Sequence, residues 1–304
     1  MKRGDMEKPV RILTFDIEEW FHLLDIEAVN SVDCWNNYEV RIHKNTDRII
    51  ELLQKCKQNA TFFCLGWVAE KYPRVISALD REGYEIGSHT NYHQLAYRLS
   101  PGQFREDLRK SIDTLESITG KKIRSFRVPG FSITTENLWA FEIIAECGIE
   151  NDSSVFPASR GHGGLKDFAA TKPVIIHTSS GEIREFPINT LSFLGKRIVF
   201  SGGGYFRLFP YSLIHWLISR SDYVMSYFHP RDFDTHQPLL PGLPLGRRFK
   251  SYVGLKNAYS KLKKILEYFQ FTDISGAKAL IDWNKYTPVE VLSRDSLSVM
   301  REKI

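Results

Sequence analysis

Several features that mark particular protein classes are scarce or missing in this sequence. Four cysteines among 304 residues show no paired spacing, which argues against a zinc finger or a disulfide framework. No apolar run approaches the length that crosses a bilayer, and residues 1–9 lack the apolar segment of a secretory signal. We therefore expect a cytoplasmic protein with reduced cysteines, and peripheral attachment to the inner membrane stays open.

Nucleic-acid motifs, internal repeats and low-complexity tracts are also missing. The net charge is +5, but the excess is concentrated in one C-terminal stretch, so we expect no nucleic-acid partner. A solvated helix face explains such a stretch, and so does attraction to an anionic membrane or a lipid-linked glycan. The stretch contains Arg247, Arg248, Lys250, Lys256, Lys261, Lys263 and Lys264.

The apolar residues, by contrast, are abundant and patterned. They make up 42% of the chain, enough for a large core. Short strands alternate with amphipathic helices, which implies parallel strands with right-handed crossovers and favours an α/β fold of the β/α-barrel type. Predicted strands cover Val10–Phe15, Ala60–Leu65, Tyr84–Ser88, Ile123–Val128, Glu150–Ser153, Val174–Thr178, Ile183–Phe186 and Val224–Phe228. Predicted helices cover Thr46–Lys57, Pro101–Thr119, Thr135–Cys147, Pro210–Ser219 and Tyr252–Phe269.

A Pro- and Gly-rich connector follows the last predicted core strand. We interpret residues 1–236 as the barrel, and residues 237–304 as a C-terminal helical arm that packs on the same domain.

Two short polar motifs suggest a metal site. Asp16 and Glu18 follow the first strand and share a strand face, while His89 and His93, four residues apart, share a face on a helical turn. Two imidazoles and one carboxylate suit a divalent ion such as Zn²⁺ and leave a position for water, whose proton the other carboxylate accepts. Isolated acidic pairs are also typical of solvated turns, and isolated HxxxH pairs of surfaces.

The candidate polar residues share one structural position, the carboxyl end of a predicted strand. In a β/α barrel these ends converge on one face, where active sites occur. Packing alone gives little reason for five strands to deliver polar residues to the same rim. The five positions are Asp16, His89, Arg127, Asp152 and His229.

These residues resemble, in type and order, the NodB-homology polysaccharide deacetylases, carbohydrate esterase family four. The resemblance covers residues 10 to 235. It rests on Thr14-Phe15-Asp16, His89-x-x-x-His93, Arg127-x-Pro129, Asp152 and Tyr227-Phe228-His229. Further segments resemble a branch of the family associated with exopolysaccharide and O-antigen loci. They are the stretches at 16–22, 152–157, 201–207 and 241–245.

The resemblance implies a distorted barrel with fewer strands than the eight-fold form, and metal-dependent removal of acetyl from N-acetylated sugars. By motif, Asp16 is the general base, oriented by Arg127, and His89 and His93 are metal ligands. The Gly130 N–H holds the oxyanion. His229 is the general acid, tuned by Asp152.

The sequence departs from the family pattern at two positions. Ile17 replaces a second aspartate that usually binds the metal, so we expect Glu18 to be the third ligand, with Glu19 as the fallback. Gly130 replaces a bulkier residue, which we expect to widen the rim. Tyr205, Arg207 and His22 are the candidate substrate-binding residues.

We therefore expect a hydrolase that uses one divalent metal, Zn²⁺ first, with Co²⁺ or Fe²⁺ as alternatives. Its expected substrate is an N-acetylated sugar of a surface-polysaccharide precursor. Two alternatives are an amidohydrolase for a small cyclic amide or formamide and an inactive glycan-binding module. The strand–helix alternation argues against an iron oxygenase with the same ligand types.

Overall fold

The computed structural model describes residues 8–168, 170–193, 196–286 and 288–290. The strands are β1 Val10–Ile17, β2 Thr61–Cys64, β3 Glu85–Ser88, β4 Ser125–Phe126, β5 Asn151–Asp152, β6 Val174–Thr178, β7 Gly181–Glu185, β8 Leu191–Phe193, β9 Lys196–Ile198, β10 Tyr223–Phe228 and β11 Val289–Glu290. The helices are α1 Val32–Trp35, α2 Ile42–Cys56, α3 Gly66–Lys71, α4 Pro73–Arg81, α5 Pro101–Thr119, α6 Trp139–Glu146, α7 Gly203–Leu208, α8 Tyr211–Arg220, α9 Leu245–Tyr252, α10 Leu255–Tyr268 and α11 Ile274–Leu280.

One large sheet organises the molecule, in the order β10-β1-β2-β3-β4-β5-β7-β6-β11. The strands from β10 to β7 in this order run parallel, and β6 joins β7 as an antiparallel hairpin. β1 is buried along nearly its whole length between β10 and β2, as expected of a central parallel strand. The predicted distorted β/α barrel is confirmed.

Most predicted elements appear close to their predicted bounds, and three helices differ. The predicted helix Thr46–Lys57 begins four residues earlier, at Ile42, where Glu19 accepts the first backbone N–H groups. The predicted helix Thr135–Cys147 begins only at Trp139, because Asn137 Oδ1 accepts the Thr134 N–H at 2.7 Å and forms a turn instead. The predicted helix Tyr252–Phe269 is divided between α9 and α10 at Gly254. Gly254 has φ +74°, and a Cβ there would lie 2.4 Å from the Arg207 carbonyl oxygen.

The described part of the C-terminal arm lies against the barrel. Thr272 exchanges backbone hydrogen bonds with the first strand, through the Leu13 N–H at 3.0 Å and the Arg11 carbonyl at 2.9 Å. The buried amide of Gln58 donates to Leu266 O at 2.7 Å. The division at residue 236 itself stays a prediction. Among the described helices, none is long and apolar enough to span a membrane.

Candidate metal centre and active site

The carboxyl end of β1 delivers three acidic side chains with different partners. Asp16 and Glu18 are buried at the carboxyl end of the sheet, and they face the other candidate residues. Glu19 turns the other way, and its Oε1 accepts the backbone N–H groups of Arg41 at 2.8 Å and Ile42 at 2.9 Å, where α2 begins. Those unpaired donors at a helix start need an acceptor. Glu19 therefore caps the start of α2, and Glu18 is the acid that is available to a metal.

The two histidines lie on a loop after β3, and the predicted helical turn is wrong. Thr90 and His93 have φ values of +64° and +55°, unusual for residues with a Cβ. The buried carboxylate of Asp107 holds this loop by accepting the N–H groups of Asn91 at 2.9 Å and Tyr92 at 3.2 Å. Strain of this kind persists where surrounding contacts fix a functional geometry.

Glu18, His89 and His93 form a cluster that fits a metal. One ligand atom from each lies within 4.8 Å of the others. Glu18 Oε2 is buried, and the side chain that it meets among the described residues is another member of the cluster, His93, with Nε2 at 2.7 Å. A buried oxygen in that position is costly unless a cation neutralises it.

The protonation states of His89 and Glu18 also suit metal binding. Burial lowers the pKa of His89 to about 4, so its imidazole is neutral. Since a carbonyl can only accept, His89 Nδ1–H donates to Arg127 O at 2.6 Å, leaving Nε2 as the free ligand atom. Burial by itself would raise the pKa of Glu18, but the nearby histidines lower it far below its usual value.

Arg127 contacts Asp16 as predicted. Its guanidinium is fully buried, and Nη1 donates to Asp16 Oδ1 at 2.8 Å and to Thr14 Oγ1 at 2.7 Å. The other nitrogens donate to the carbonyl and hydroxyl of Ser153 at 3.1 and 2.9 Å. These contacts fix the plane of the guanidinium, so Asp16 is held in one orientation by a charge-assisted hydrogen bond.

His229 follows β10 and lies on the opposite side of Asp16 from Arg127. Its Nε2 is 3.8 Å from Asp16 Oδ2 and 3.3 Å from Glu18 Oε1. Its Nδ1 is 3.2 Å from Asp232 Oδ2, which also accepts the His229 N–H at 2.9 Å. Burial lowers the pKa of His229, but Glu18 and Asp232 outweigh it and raise the value to about 9. The contact with Asp232, on the side of the ring away from the ligand set, favours the protonated imidazole independently of Glu18.

The prediction that Asp152 is the partner of His229 is wrong, because Asp232 contacts the imidazole instead. Asp152 is fully buried after β5, where its Oδ1 accepts from Ser154 Oγ at 2.6 Å. Ser154 in turn accepts the Val128 N–H at 2.9 Å, beside Arg127. Burial raises the pKa of Asp152 to about 6 and that of its neighbour Glu185 further, because two buried carboxylates cannot both be ionised. Asp152 thus belongs to a buried carboxyl pair.

Gly130 lies in the tight turn after Arg127 with φ +64°, which only glycine adopts easily. The expected widening of the rim is wrong. A Cβ at Gly130 would meet Leu24 Cδ1 at 2.7 Å and Leu95 Cδ2 at 2.9 Å. The space left by the missing side chain is filled by these two leucines. The role of the Gly130 N–H stays a prediction.

The predicted substrate-binding residues are dispersed. His22 is buried against Trp35 and Trp67, and burial lowers its pKa to about 3, so it supports the fold behind His93. Arg207 is buried and binds backbone carbonyls, which excludes direct contact with a sugar. Tyr205 is exposed on α7, and its contact with substrate stays a prediction.

Two residues near the site were missed by sequence reasoning. Asp232 contacts His229, and Arg207 Nε lies 3.0 Å from Asp232 Oδ1. Asp107 holds the loop of the two histidines. An acid three residues after His229 was a usable signal for Asp232, because it can reach back across the tight turn that begins at Pro230.

Comparison with known proteins agrees with this geometry. Residues 3–150 match the family model Polysaccharide deacetylase, and residues 153–278 match a domain of unknown function, DUF3473. The metal cluster and Asp16 lie in the first match, and His229, Asp232 and Arg207 lie in the second. The second match therefore completes the candidate site.

Two curated relatives match about a third of the chain. A peptidoglycan-N-acetylglucosamine deacetylase of Bacillus cereus is 32% identical over 98 residues, which are 32% of this chain and 36% of that protein. The peptidoglycan-N-acetylmuramic acid deacetylase PdaC of Bacillus subtilis is 34% identical over 91 residues, 30% of this chain and 20% of that protein. The matched region thus spans about a third or less of those relatives.

A solved structure resembles nearly the whole chain. A Mycobacterium smegmatis protein assigned to the polysaccharide deacetylases has a TM-score of 0.63 and 17% identity, and the match covers 95% of both chains. That likeness supports the fold. By sequence, residues 3–150 are similar to the polysaccharide deacetylases.

Proposed function

We propose that the chain is a metal-dependent N-deacetylase that removes acetyl from an N-acetylated amino sugar. The observation that carries this proposal is one cluster that combines a ligand set with a candidate base and a candidate acid. Glu18, His89 and His93 converge as a ligand set. Asp16, paired with Arg127, and His229, paired with Asp232, lie beside it in the positions of a base and an acid.

The ligand set suits Zn²⁺ first, and Co²⁺ or Fe²⁺ as alternatives, because imidazole and carboxylate bind all three. When bound, such an ion polarises the amide carbonyl and lowers the pKa of its water toward 7. Asp16, held by Arg127, accepts the proton of the attacking water. The Gly130 N–H donates to the oxyanion that develops on the carbonyl oxygen, and one such donor contributes about 10²–10³ in rate.

The leaving amine needs a proton, and His229 is the group that can supply it. Its imidazolium is stabilised by Asp232 on the Nδ1 side. Its Nε2 lies 3.3 Å from Glu18 Oε1, beside the ligand set, so the Nε2 proton is the one placed to reach the substrate. General acid catalysis of this type contributes about 10²–10⁴ in rate. The carboxylate pair at Asp152 takes no part in this step.

For the substrate, we propose an amino sugar of a surface-polysaccharide precursor, of the exopolysaccharide or O-antigen kind. Two observations support this class. The relatives named above act on N-acetylated sugars of peptidoglycan, according to their names. The segments at 16–22 and 201–207 resemble the family branch associated with those loci. The second segment contains Arg207, the buried partner of Asp232.

For location, we propose the cytoplasm, with the protein acting on precursors before export. The four cysteines are free thiols, which a reducing compartment preserves. Cell fractionation of the native protein tests this, and recovery in the periplasm or medium would refute it.

Two alternatives are weaker on specific grounds. A glycan-binding module needs no ionised base paired to a buried arginine, and the Asp16–Arg127 contact is conspicuous here. A cyclic-amide hydrolase would share the ligand set, and only the substrate distinguishes it.

The test is an acetate-release screen over N-acetylated sugars and lipid-linked or nucleotide-linked precursors, with a cyclic amide as comparison. Stripping the metal with chelator should abolish acetate release, and Zn²⁺ or Co²⁺ should restore it. Full activity in metal-free protein, or turnover of the cyclic amide alone, would contradict the proposal.

A further inference from the structure

Helix α9 is unusual because it is firmly attached yet buries none of its side chains, all of which the structure describes. Leu245 is 83% exposed and Phe249, one turn later, is 60% exposed. Residues four apart share a helix face, so these two form an outward apolar strip. Arg248 and Lys250 are exposed beside it.

Both ends of α9 are fastened to the rim of the candidate site. Near its start, Arg247 Nη2 donates to Leu24 O at 2.6 Å, and Leu24 is the side chain that covers Gly130. At its end, Arg207 donates to Lys250 O, Ser251 O and Val253 O, each at 2.9 Å. The same guanidinium pairs with Asp232, the partner of His229.

The charge of α9 narrows the range of partners. Within the part of the chain that the structure describes, no acidic side chain pairs with Arg248 or Lys250, whereas Lys261 of the same basic stretch is buried on the carbonyls of α7. Two copies meeting through this face would bring like charges together, which opposes self-association.

We propose that α9 binds the surface of an anionic lipid bilayer. Leu245 and Phe249 enter the headgroup region, and Arg248 and Lys250 contact lipid phosphates, as in amphipathic helices that lie in the interface. Because α9 is attached to the rim, binding brings the mouth of the site to the membrane. Resting on the proposed deacetylase function, this assigns the substrate to glycans carried on a membrane lipid.

The test is co-sedimentation of the full chain with vesicles of phosphatidylcholine, with and without phosphatidylglycerol. We expect binding to the anionic vesicles only, weakened by added salt. The double variant Leu245→Ser/Phe249→Ser should weaken that binding at least about tenfold, and Arg248→Ala/Lys250→Ala should remove its salt dependence. Leu280→Ser, at another exposed leucine on α11, is the matched control and should bind like the original chain.

Two results would overturn the proposal. One is that anionic vesicles fail to bind the original chain, or bind the Leu245→Ser/Phe249→Ser variant equally well. The other is a dimer in solution that this variant dissociates, since α9 is then a contact between copies. Acetate release from a soluble N-acetylated sugar, measured without vesicles, should be the same in the variant and the original chain. That assay tests the deacetylase function separately from membrane binding.

Discussion

The two halves of the chain contribute to the candidate site in different ways. Residues 8–153 supply the three ligand atoms and the Asp16–Arg127 pair from the ends of regular parallel strands. Residues 154–290 supply His229, Asp232 and the attached helix α9, through short turns and side-chain contacts. The first half therefore carries the proposed metal site, and the second half carries the proposed acid.

The difference teaches how the chemistry is divided. A ligand set needs only a few converging side chains, and strand ends bring them together once Asp107 holds the histidine loop. A general acid has to be kept protonated and oriented, which needs a carboxylate and a group to hold that carboxylate. In this protein Asp232 contacts His229, and Arg207 pairs with Asp232. Arg207 in turn donates to a backbone carbonyl near the end of α9.

The largest effect is expected from the first half. His89→Ala should remove the metal and nearly all activity, because two remaining ligands cannot hold the ion well. The measurement is metal content by mass spectrometry beside acetate release. His177→Ala, an exposed histidine on β6, is the matched control and should change neither. Retention of metal by His89→Ala would remove this histidine from the ligand set.

The next effect separates the two halves. His229→Ala should keep metal and fold but lose about 10²-fold or more in turnover, as expected of a lost general acid. Metal content, circular dichroism and acetate release are measured on the same preparation. If the variant keeps full turnover, the acid lies elsewhere, and the second half has no part in the proton transfer.

A smaller effect tests the support of His229. Arg207→Lys keeps a positive charge but cannot hold Asp232 and three carbonyls together, so kcat should fall about tenfold with KM unchanged. The kcat of Asp232→Asn should fall by a similar factor. The kcat of the double variant should fall by less than the product of the two single-variant factors. Full additivity of the two losses in the double variant would show that Arg207 and Asp232 act independently.

The smallest effect concerns stability and the buried carboxyl pair. The raised pKa values of Asp152 and Glu185 mean that the folded state binds more protons than the unfolded chain. The resulting stability is present at low pH and is lost as pH rises through about 6. Glu185→Gln should therefore unfold at higher denaturant than the original chain near pH 8, by about 1–2 kcal/mol. Near pH 4, where the unfolded chain also keeps these carboxyls largely protonated, the two should match, and turnover should be unaffected. An equal difference at both pH values would contradict the account.

Much of the barrel and most of the cluster could be predicted from the sequence. Asp16, His89, Arg127 and His229 each follow an apolar strand, and parallel topology then brings strand ends together whatever the side-chain details. The choice of Glu18 followed from strand alternation, since Ile17 cannot bind a metal and Glu19 points away.

The errors have a common physical origin in contacts between distant residues. Asp152 is paired with Glu185 across the β5–β7 junction, and nothing in its own neighbourhood indicates this. Arg207 was assigned to substrate, but it meets carbonyls at the break that Gly254 makes in the predicted helix. The HxxxH spacing suggested a helical turn, while Asp107 holds it as a strained loop.

The central claim is that Glu18 binds the metal while Asp16 accepts the proton. Equilibrium dialysis with Zn²⁺ on two variants tests it most directly. Asp16→Asn should keep near-normal zinc affinity and lose most activity, because an amide cannot accept the proton. Glu18→Ala should lose zinc affinity, with activity partly restored by excess metal. Loss of zinc by Asp16→Asn together with its retention by Glu18→Ala would reverse the two roles and contradict the account.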